Sequence, residues 1–118
     1  MNIRIHRIYE EGAPQGYRAL VDRLWPRGVA KDDADLDGHW KELAPSSDLR
    51  TWFDHDPEKW AEFRRKYLHE LSLHKDVAKD YLQEVTGKSV VLLYGAKDKE
   101  HTHARVLKEY LEKVARGI

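Results

Sequence analysis

The spacing of apolar residues changes several times along this chain, and each change marks a predicted element. Ile3, Ile5 and Ile8 alternate with polar residues and predict a first strand. A loop containing glycine and proline follows, and residues 17–24 predict a second strand. The connection between them is short for a helical crossover, which leaves antiparallel pairing and a parallel arrangement of non-neighbouring strands both open.

The middle of the chain shows apolar residues at helical spacing. From residue 32 this spacing predicts a helix that Pro45 ends, and Ser46 or Ser47 then caps a second, short helix. Asp56 is a natural N-cap and Pro57 a natural first residue for a long third helix. The apolar stripes of these helices are Leu36, Trp40, Leu43 and Ala44; Leu49, Trp52 and Phe53; and Trp60, Phe63, Tyr67 and Leu71.

The last part of the chain predicts a helix that ends at Gly87, then a strand, then a C-terminal helix that begins near Lys99. The strand is the unbroken apolar run 90–94, which is typical of a strand covered on both faces. We therefore predict an α/β fold with a small central, mostly parallel sheet flanked by helices. Its three layers would be Rossmann-like without a dinucleotide fingerprint, in a single domain over residues 1–118.

Composition narrows the classes of function. The 21 basic and 21 acidic side chains balance, which argues against nucleic acid or an anionic membrane as partner. The absence of cysteine excludes disulfides, thiolate metal sites and cysteine nucleophiles. The first residues lack the apolar stretch of a signal peptide, so we expect a cytoplasmic protein. Nucleotide-binding and hydrolase motifs are missing, so no cofactor is indicated, and the pattern does not set an oligomeric state.

Cationic and aromatic residues collect where two of the predicted strands end. Arg23, Trp25 and Arg27 follow the second strand, in a turn stiffened by Pro26, and Lys97 follows the run 90–94. Ligands of open α/β sheets bind beyond the carboxyl ends of the strands, so we expect the two segments to meet in a pocket for a small anionic molecule. The three cations would hold the anion, and Trp25 would lie against a flat ligand.

Candidates for acid/base chemistry lie in the same two segments. Asp22 or Asp98 would act as a base or orient the substrate, and His103 would relay a proton. A purely structural role is equally open for each: the carboxylates can pair with an arginine and cap a turn, and His103 can be a satisfied core histidine. No metal site is predicted, because His101 and His103 would diverge by about 200° on a helix.

Four segments resemble the DUF488 family, and within it the YeaO-like branch. The resemblance covers nearly the whole chain, and it implies membership of a bacterial and archaeal family without an assigned biochemical role. The segments are residues 20–28 (LVDRLWPRG), 44–46 with 49–53 (APS and LRTWF), 55–57 (HDP) with Trp60, Phe63 and Arg64, and 92–98 (LLYGAKD) through His101 and His103.

One segment departs from the family pattern. The wider family carries an Asp-x-Arg turn after an early strand, where this chain reads Asp22-Arg23, and a Cys-His-Arg segment after the late strand. Here residues 101–105 read His-Thr-His-Ala-Arg, so the resemblance does not imply thiol chemistry. The positions to which family roles can be transferred are Asp22, Arg23, Lys97, Asp98 and His103.

Three functions from different classes follow from these residues. The first is an enzyme that applies acid/base chemistry to a phosphate- or carboxylate-bearing small molecule. The second is a non-catalytic ligand-binding or regulatory module that uses the same pocket. The third is a nucleic-acid or protein interaction domain with Arg50, Arg64 and Arg65 on its contact surface, which the neutral net charge disfavours.

Overall fold

A computed structural model describes residues 1–117 and shows four parallel strands flanked by five helices, which confirms the predicted α/β fold. The strands are β1 (Ile3–Arg7), β2 (Tyr17–Leu20), β3 (Gly38–His39) and β4 (Val90–Tyr94). The helices are α1 (Lys31–Ala34), α2 (Ser47–Phe53), α3 (Trp60–Leu73), α4 (Lys75–Glu84) and α5 (His103–Arg116), with 3-10 turns at Lys41–Leu43 and Pro57–Lys59.

The last strand in the chain lies inside the sheet. The strand order is β1-β4-β2-β3, and β4 runs parallel to both β1 and β2. All five residues of β4 are buried, as the unbroken apolar run predicts. The first two strands are therefore parallel but not neighbours, which was one of the two arrangements that the sequence left open. This order places the carboxyl ends of β2 and β4 side by side.

The main apolar core lies between one face of the sheet and the longer helices. Helix α5 packs on β1 and β4, and α3 and α4 pack on α5. Val90, Leu92 and Tyr94 point into this core, whereas Val91 and Leu93 are buried on the opposite face. None of the helices described for residues 1–117 is long and apolar enough to span a bilayer.

The predicted second strand is too long at its carboxyl end. Strand β2 ends at Leu20, and one further ladder bond joins the Val21 N–H to the carbonyl of Leu93. Beyond that point the chain turns, because Pro26 has no N–H to offer a ladder and Gly28 adopts a left-handed φ of 74°. The polar residues that follow β2 therefore lie on a loop rather than on a strand.

The predicted helix over residues 32–45 is wrong. Helix α1 has only four residues and ends at Ala34, because its C-cap, Asp35, adopts a left-handed conformation. The chain then pairs with β2 through the two-residue strand β3, and the Trp40 N–H donates to the carbonyl of Leu20. Trp40 and Leu43 are buried as the apolar pattern requires, but a strand and a 3-10 turn produce their spacing.

Helix α5 begins at His103, four residues after the predicted start near Lys99. The Asp98 carboxylate accepts hydrogen bonds from the backbone N–H groups of Glu100 and His101 and so holds this segment in a turn. Thr102 is the actual N-cap, and its hydroxyl accepts from the N–H of Ala104.

Ser46 joins the start of α2 to α3, which confirms the predicted cap. Its hydroxyl accepts from the N–H of Leu49 at 3.1 Å and donates to Oε2 of Glu70 at 2.6 Å. The Ser46 N–H donates to the other carboxylate oxygen of Glu70 at 2.9 Å. One side chain therefore caps a helix and anchors it to its neighbour.

We expect Ser46→Ala to lower the free energy of unfolding by about 2 kcal/mol, since it removes both a cap and a bond to a carboxylate. The matched control is Ser47→Ala, because the Ser47 hydroxyl accepts only a long bond of 3.4 Å from Arg50. The control should change stability by no more than about 0.5 kcal/mol. Urea unfolding measures both values, and equal effects of the two substitutions would contradict the assignment.

Gly16 allows the chain to enter β2 in close contact with residue 89. Its φ is 146°, and a Cβ at this position would lie 2.6 Å from the carbonyl oxygen of Ser89. That oxygen accepts from the N–H of Tyr17, so the backbone cannot move away without losing the bond. Gly12 also has a positive φ, 78°, but open space surrounds the position of its Cβ.

We expect Gly16→Ala to destabilise the fold by about 3 kcal/mol, through backbone strain and steric overlap together. Gly12→Ala should cost only the strain, about 1 kcal/mol. Denaturant midpoints at unchanged m-value measure the difference. A Gly16→Ala variant no less stable than Gly12→Ala would show that the approach to Ser89 does not constrain the sequence.

Candidate functional site

A cavity of about 640 Å³ opens where β2 and β4 end. Residues 22–26 after β2 form one wall, and residues 95–98 and 101–103 before α5 form another. Helix α2 and the residues around it contribute a third wall through Pro45, Arg50, Phe53 and His55. The two strand ends that the sequence singled out thus border the same cavity, which has the usual volume of a small-molecule site.

Two arginines that line this cavity each have a buried donor atom without a hydrogen-bond partner among residues 1–117. The Nε atoms of Arg23 and Arg50 are shielded from solvent, and neither has a hydrogen-bond partner among residues 1–117. Lys97 adds a third cation to the lining. A guanidinium stays charged at all physiological pH values, so a sequestered N–H without an acceptor costs free energy in the absence of a ligand.

Arg50 reaches the cavity from the capped helix α2. Its backbone N–H donates to the carbonyl of Ser46, and its own carbonyl accepts from the N–H of Asp54 at the end of the helix. Asp54 and His55 both adopt left-handed φ values, 47° and 55°, which are strained for residues other than glycine. This turn ends α2 and places His55 in the cavity lining.

Asp22 connects the two strand ends. Its Oδ2 accepts from the N–H of Gly95 at 2.9 Å, and its Oδ1 lies 3.5 Å from Nε2 of His103. A Cβ on residue 95 would lie 3.1 Å from the same Oδ2, so the absence of a side chain there permits the close approach. The carboxylate that the sequence proposed as a base therefore takes part in the packing of β2 against β4.

His103 is also held by the chain itself. Its Nε2 lies 3.0 Å from the carbonyl oxygen of Val21, and only 14% of its side chain is exposed. A carbonyl can only accept, so the neutral ring carries its proton on Nε2. Burial lowers the pKa of His103, and the nearby Asp22 carboxylate opposes that shift only in part.

Asp98 lies on the rim and pairs with His101. Its Oδ2 is 2.8 Å from Nδ1 of His101, and its Oδ1 accepts the two backbone N–H groups that form the turn before α5. Hydrogen bonds from the His101 side chain and backbone lower the pKa of Asp98. His101 lines the cavity and contacts the edge of Trp60, with ring centroids 5.5 Å apart.

Three of the four predicted ligand-binding residues line the cavity, and one does not. Arg23, Trp25 and Lys97 line the cavity, whereas Arg27 is not among the lining residues. Arg27 instead accepts a hydrogen bond on its backbone carbonyl from the hydroxyl of Tyr9, at 3.0 Å. Residues 1–117 contain no group of three or more histidine, aspartate or glutamate side chains arranged to hold a metal ion.

Sequence reasoning assigned Arg50 to a different surface, together with Arg64 and Arg65. In the structure Arg64 pairs with Glu109 and Arg65 with Glu62, while Arg50 turns into the cavity. The available signal was the motif Leu49-Arg50-Thr51-Trp52-Phe53, one of the segments that carry the family resemblance. Spacing could not connect it with residue 23, because α1 and β3 intervene.

Comparison with known proteins finds relatives of the same length. The chain is 42% identical over 112 residues to the uncharacterized protein YeaO of Escherichia coli (strain K12), covering 94% of this chain and 97% of the relative. It is also 42% identical over 112 residues to the uncharacterized proteins Mb3100c of Mycobacterium bovis and Rv3073c of Mycobacterium tuberculosis, covering 92% of both chains in each pair.

No solved structure matches this chain significantly. A family profile described as "Inactive DUF488-N3 subclade" matches residues 2–116. Together with the four matching segments and the relatives above, this shows that the chain belongs to the DUF488 family, in the subclade that the profile describes.

Proposed function

We propose that this protein is a non-catalytic receptor for a small organic anion that carries a phosphate or carboxylate group. The acid group would lie between the guanidinium groups of Arg23 and Arg50. The observation that carries the proposal is that Arg23 and Arg50 both line this cavity, and that each has a buried Nε without a hydrogen-bond partner among residues 1–117. A phosphate or carboxylate is the natural acceptor for such donors, because its oxygens match the planar fork of a guanidinium.

The surface arginines provide a contrast. Arg64 and Arg65 each have a glutamate within salt-bridge distance, so the chain itself neutralises them. The carboxylates in the cavity lining are Asp22 and Asp98, and both already accept backbone N–H groups. Arg23 and Arg50 can therefore still bind an external anion, whereas Arg64 and Arg65 are already paired with glutamates.

The same bonds favour binding over catalysis. Asp22 and His103 tie the ends of β2, β4 and α5 together, and Asp98 forms the turn before α5. The hydrogen bonds that Asp98 accepts from His101 also lower its pKa, which makes this carboxylate a weaker base. The family description, inactive, is consistent with a receptor. Acid/base catalysis by Asp22, Asp98 and His103 stays a prediction of the sequence.

Substitution of either arginine tests the receptor. In wild-type protein, millimolar inorganic phosphate should raise the Tm above its value in chloride of equal ionic strength, because the folded state alone binds the anion. Arg23→Gln and Arg50→Gln should each weaken phosphate binding at least about tenfold, since a hydrogen bond to a charged group is lost. Isothermal titration calorimetry and thermal unfolding measure both quantities.

Arg65→Gln is the matched control, because Arg65 is exposed and pairs with Glu62 outside the cavity. Its phosphate affinity should equal that of the wild type. The proposal fails if Arg23→Gln and Arg50→Gln bind phosphate as well as the control does, or if phosphate and chloride stabilise the wild type equally.

The structural role of His103 predicts a pH dependence. Because burial lowers its pKa below that of the unfolded chain, about 6.5, the unfolded state binds more protons between the two values. Stability therefore rises with pH through this window and is lost as the pH falls below about 6.5, by at most about 1.4 kcal/mol per pH unit.

His103→Gln should flatten this slope in urea unfolding measured from pH 8 to pH 5, because glutamine can donate to the Val21 carbonyl but does not titrate. His69→Gln, at an exposed position on α3, should leave the slope unchanged. A His103→Gln variant that keeps the full acid destabilisation would show that His103 is not held neutral in the fold.

A further inference from the structure

Exposed apolar side chains concentrate at the cavity. Within residues 1–117, five large hydrophobic side chains are exposed, and three of them, Tyr9, Leu24 and Trp25, line the cavity. Leu24 is 66% exposed, although it is next to Arg23 in the chain and the Nε of Arg23 is buried. Exposure of these apolar side chains to water is unfavourable in free energy. Their position around the cavity is a second observation, separate from the buried Nε atoms of the two arginines.

The two aromatic side chains of this group are held in place by the chain. The Trp25 indole N–H donates to the carbonyl of Val29 at 2.6 Å, and the ring contacts His39 edge-on, with centroids 6.3 Å apart. The Tyr9 hydroxyl donates to the carbonyl of Arg27. The Arg7 guanidinium lies over the Tyr9 ring, 4.8 Å from its centroid, so Trp25 is the aromatic side chain of the two whose apolar part is offered to a ligand.

We infer that the ligand is an aromatic acid: a flat, apolar ring that carries a phosphate or carboxylate group. The acid group would lie at Arg23 and Arg50, and the ring would lie against Trp25 and Leu24. This inference rests on the proposed function, because it specifies the body of the anion that the two arginines hold. An inorganic anion would fill only a small part of a cavity of about 640 Å³.

The test compares probes that differ only in the ring. Phenyl phosphate and methyl phosphate are both monoesters with the same charge, and calorimetry should show phenyl phosphate binding at least about tenfold more tightly to the wild type. Benzoate and acetate form the corresponding carboxylate pair. The comparison of phenyl phosphate with benzoate, which carry the same ring, identifies which acid group the site prefers.

Variants at the apolar rim then test where the ring lies. Trp25→Leu should reduce the advantage of phenyl phosphate at least threefold while the affinity for methyl phosphate stays the same. Leu24→Ala tests the same contact at a position so exposed that the fold does not depend on it. The control is Trp52→Leu, since Trp52 lies in a separate groove beside Lys66 and outside this cavity.

The outcomes separate this inference from the proposed function. If phenyl and methyl phosphate bind equally and both lose affinity in Arg23→Gln, the site is an anion receptor but the aromatic inference is overturned. If no probe binds, both are overturned. If the advantage of the ring persists in Trp25→Leu and in Leu24→Ala, the placement of the ring is wrong.

Discussion

The position of β4 between β1 and β2 is the constraint on which the rest of the structure depends. A strand with five buried residues needs neighbours on both edges and apolar cover on both faces, and parallel pairing with both neighbours provides the edges. Parallel pairing also brings the carboxyl ends of β2 and β4 to the same edge of the sheet. The Asp22–Gly95 hydrogen bond then holds those ends together, so the floor of the cavity follows from the sheet itself.

The charge of the cavity is a local property in a chain without net charge. Twenty-one basic and 21 acidic residues cancel overall, so long-range attraction cannot concentrate an anion at the site. The surface pairs satisfy Arg64 and Arg65, and the carboxylates near the cavity accept backbone N–H groups instead of pairing with Arg23 or Arg50. The anion recognition proposed above would therefore depend on short-range geometry rather than on the field of the whole molecule.

Sequence reasoning predicted an element correctly where a single local signal in the sequence determines it. The run 90–94 predicts a buried strand and the Ser46 cap predicts the start of α2, because each signal is local. Asp56 is a cap as predicted, but of the 3-10 turn Pro57–Lys59, and α3 itself begins only at Trp60. Sequence reasoning failed over residues 32–45, where the burial of Trp40 and Leu43 could arise from a helix or from a short strand and a turn. Arg50 was assigned to another surface because its approach to Arg23 depends on how α2 packs, which no local spacing encodes.

The anchoring of α2 by Glu70 has a consequence for how this site can be adjusted. Arg50 lies one helical turn after Ser46, and Ser46 is bound twice to a carboxylate on α3 that is not among the residues lining the cavity. Any change that shifts this anchor moves a guanidinium group without touching the ligand. Coupling of this kind is reciprocal: the factor by which the Ser46–Glu70 contact changes the affinity of the proposed receptor for an anion is the factor by which the anion changes the strength of that contact.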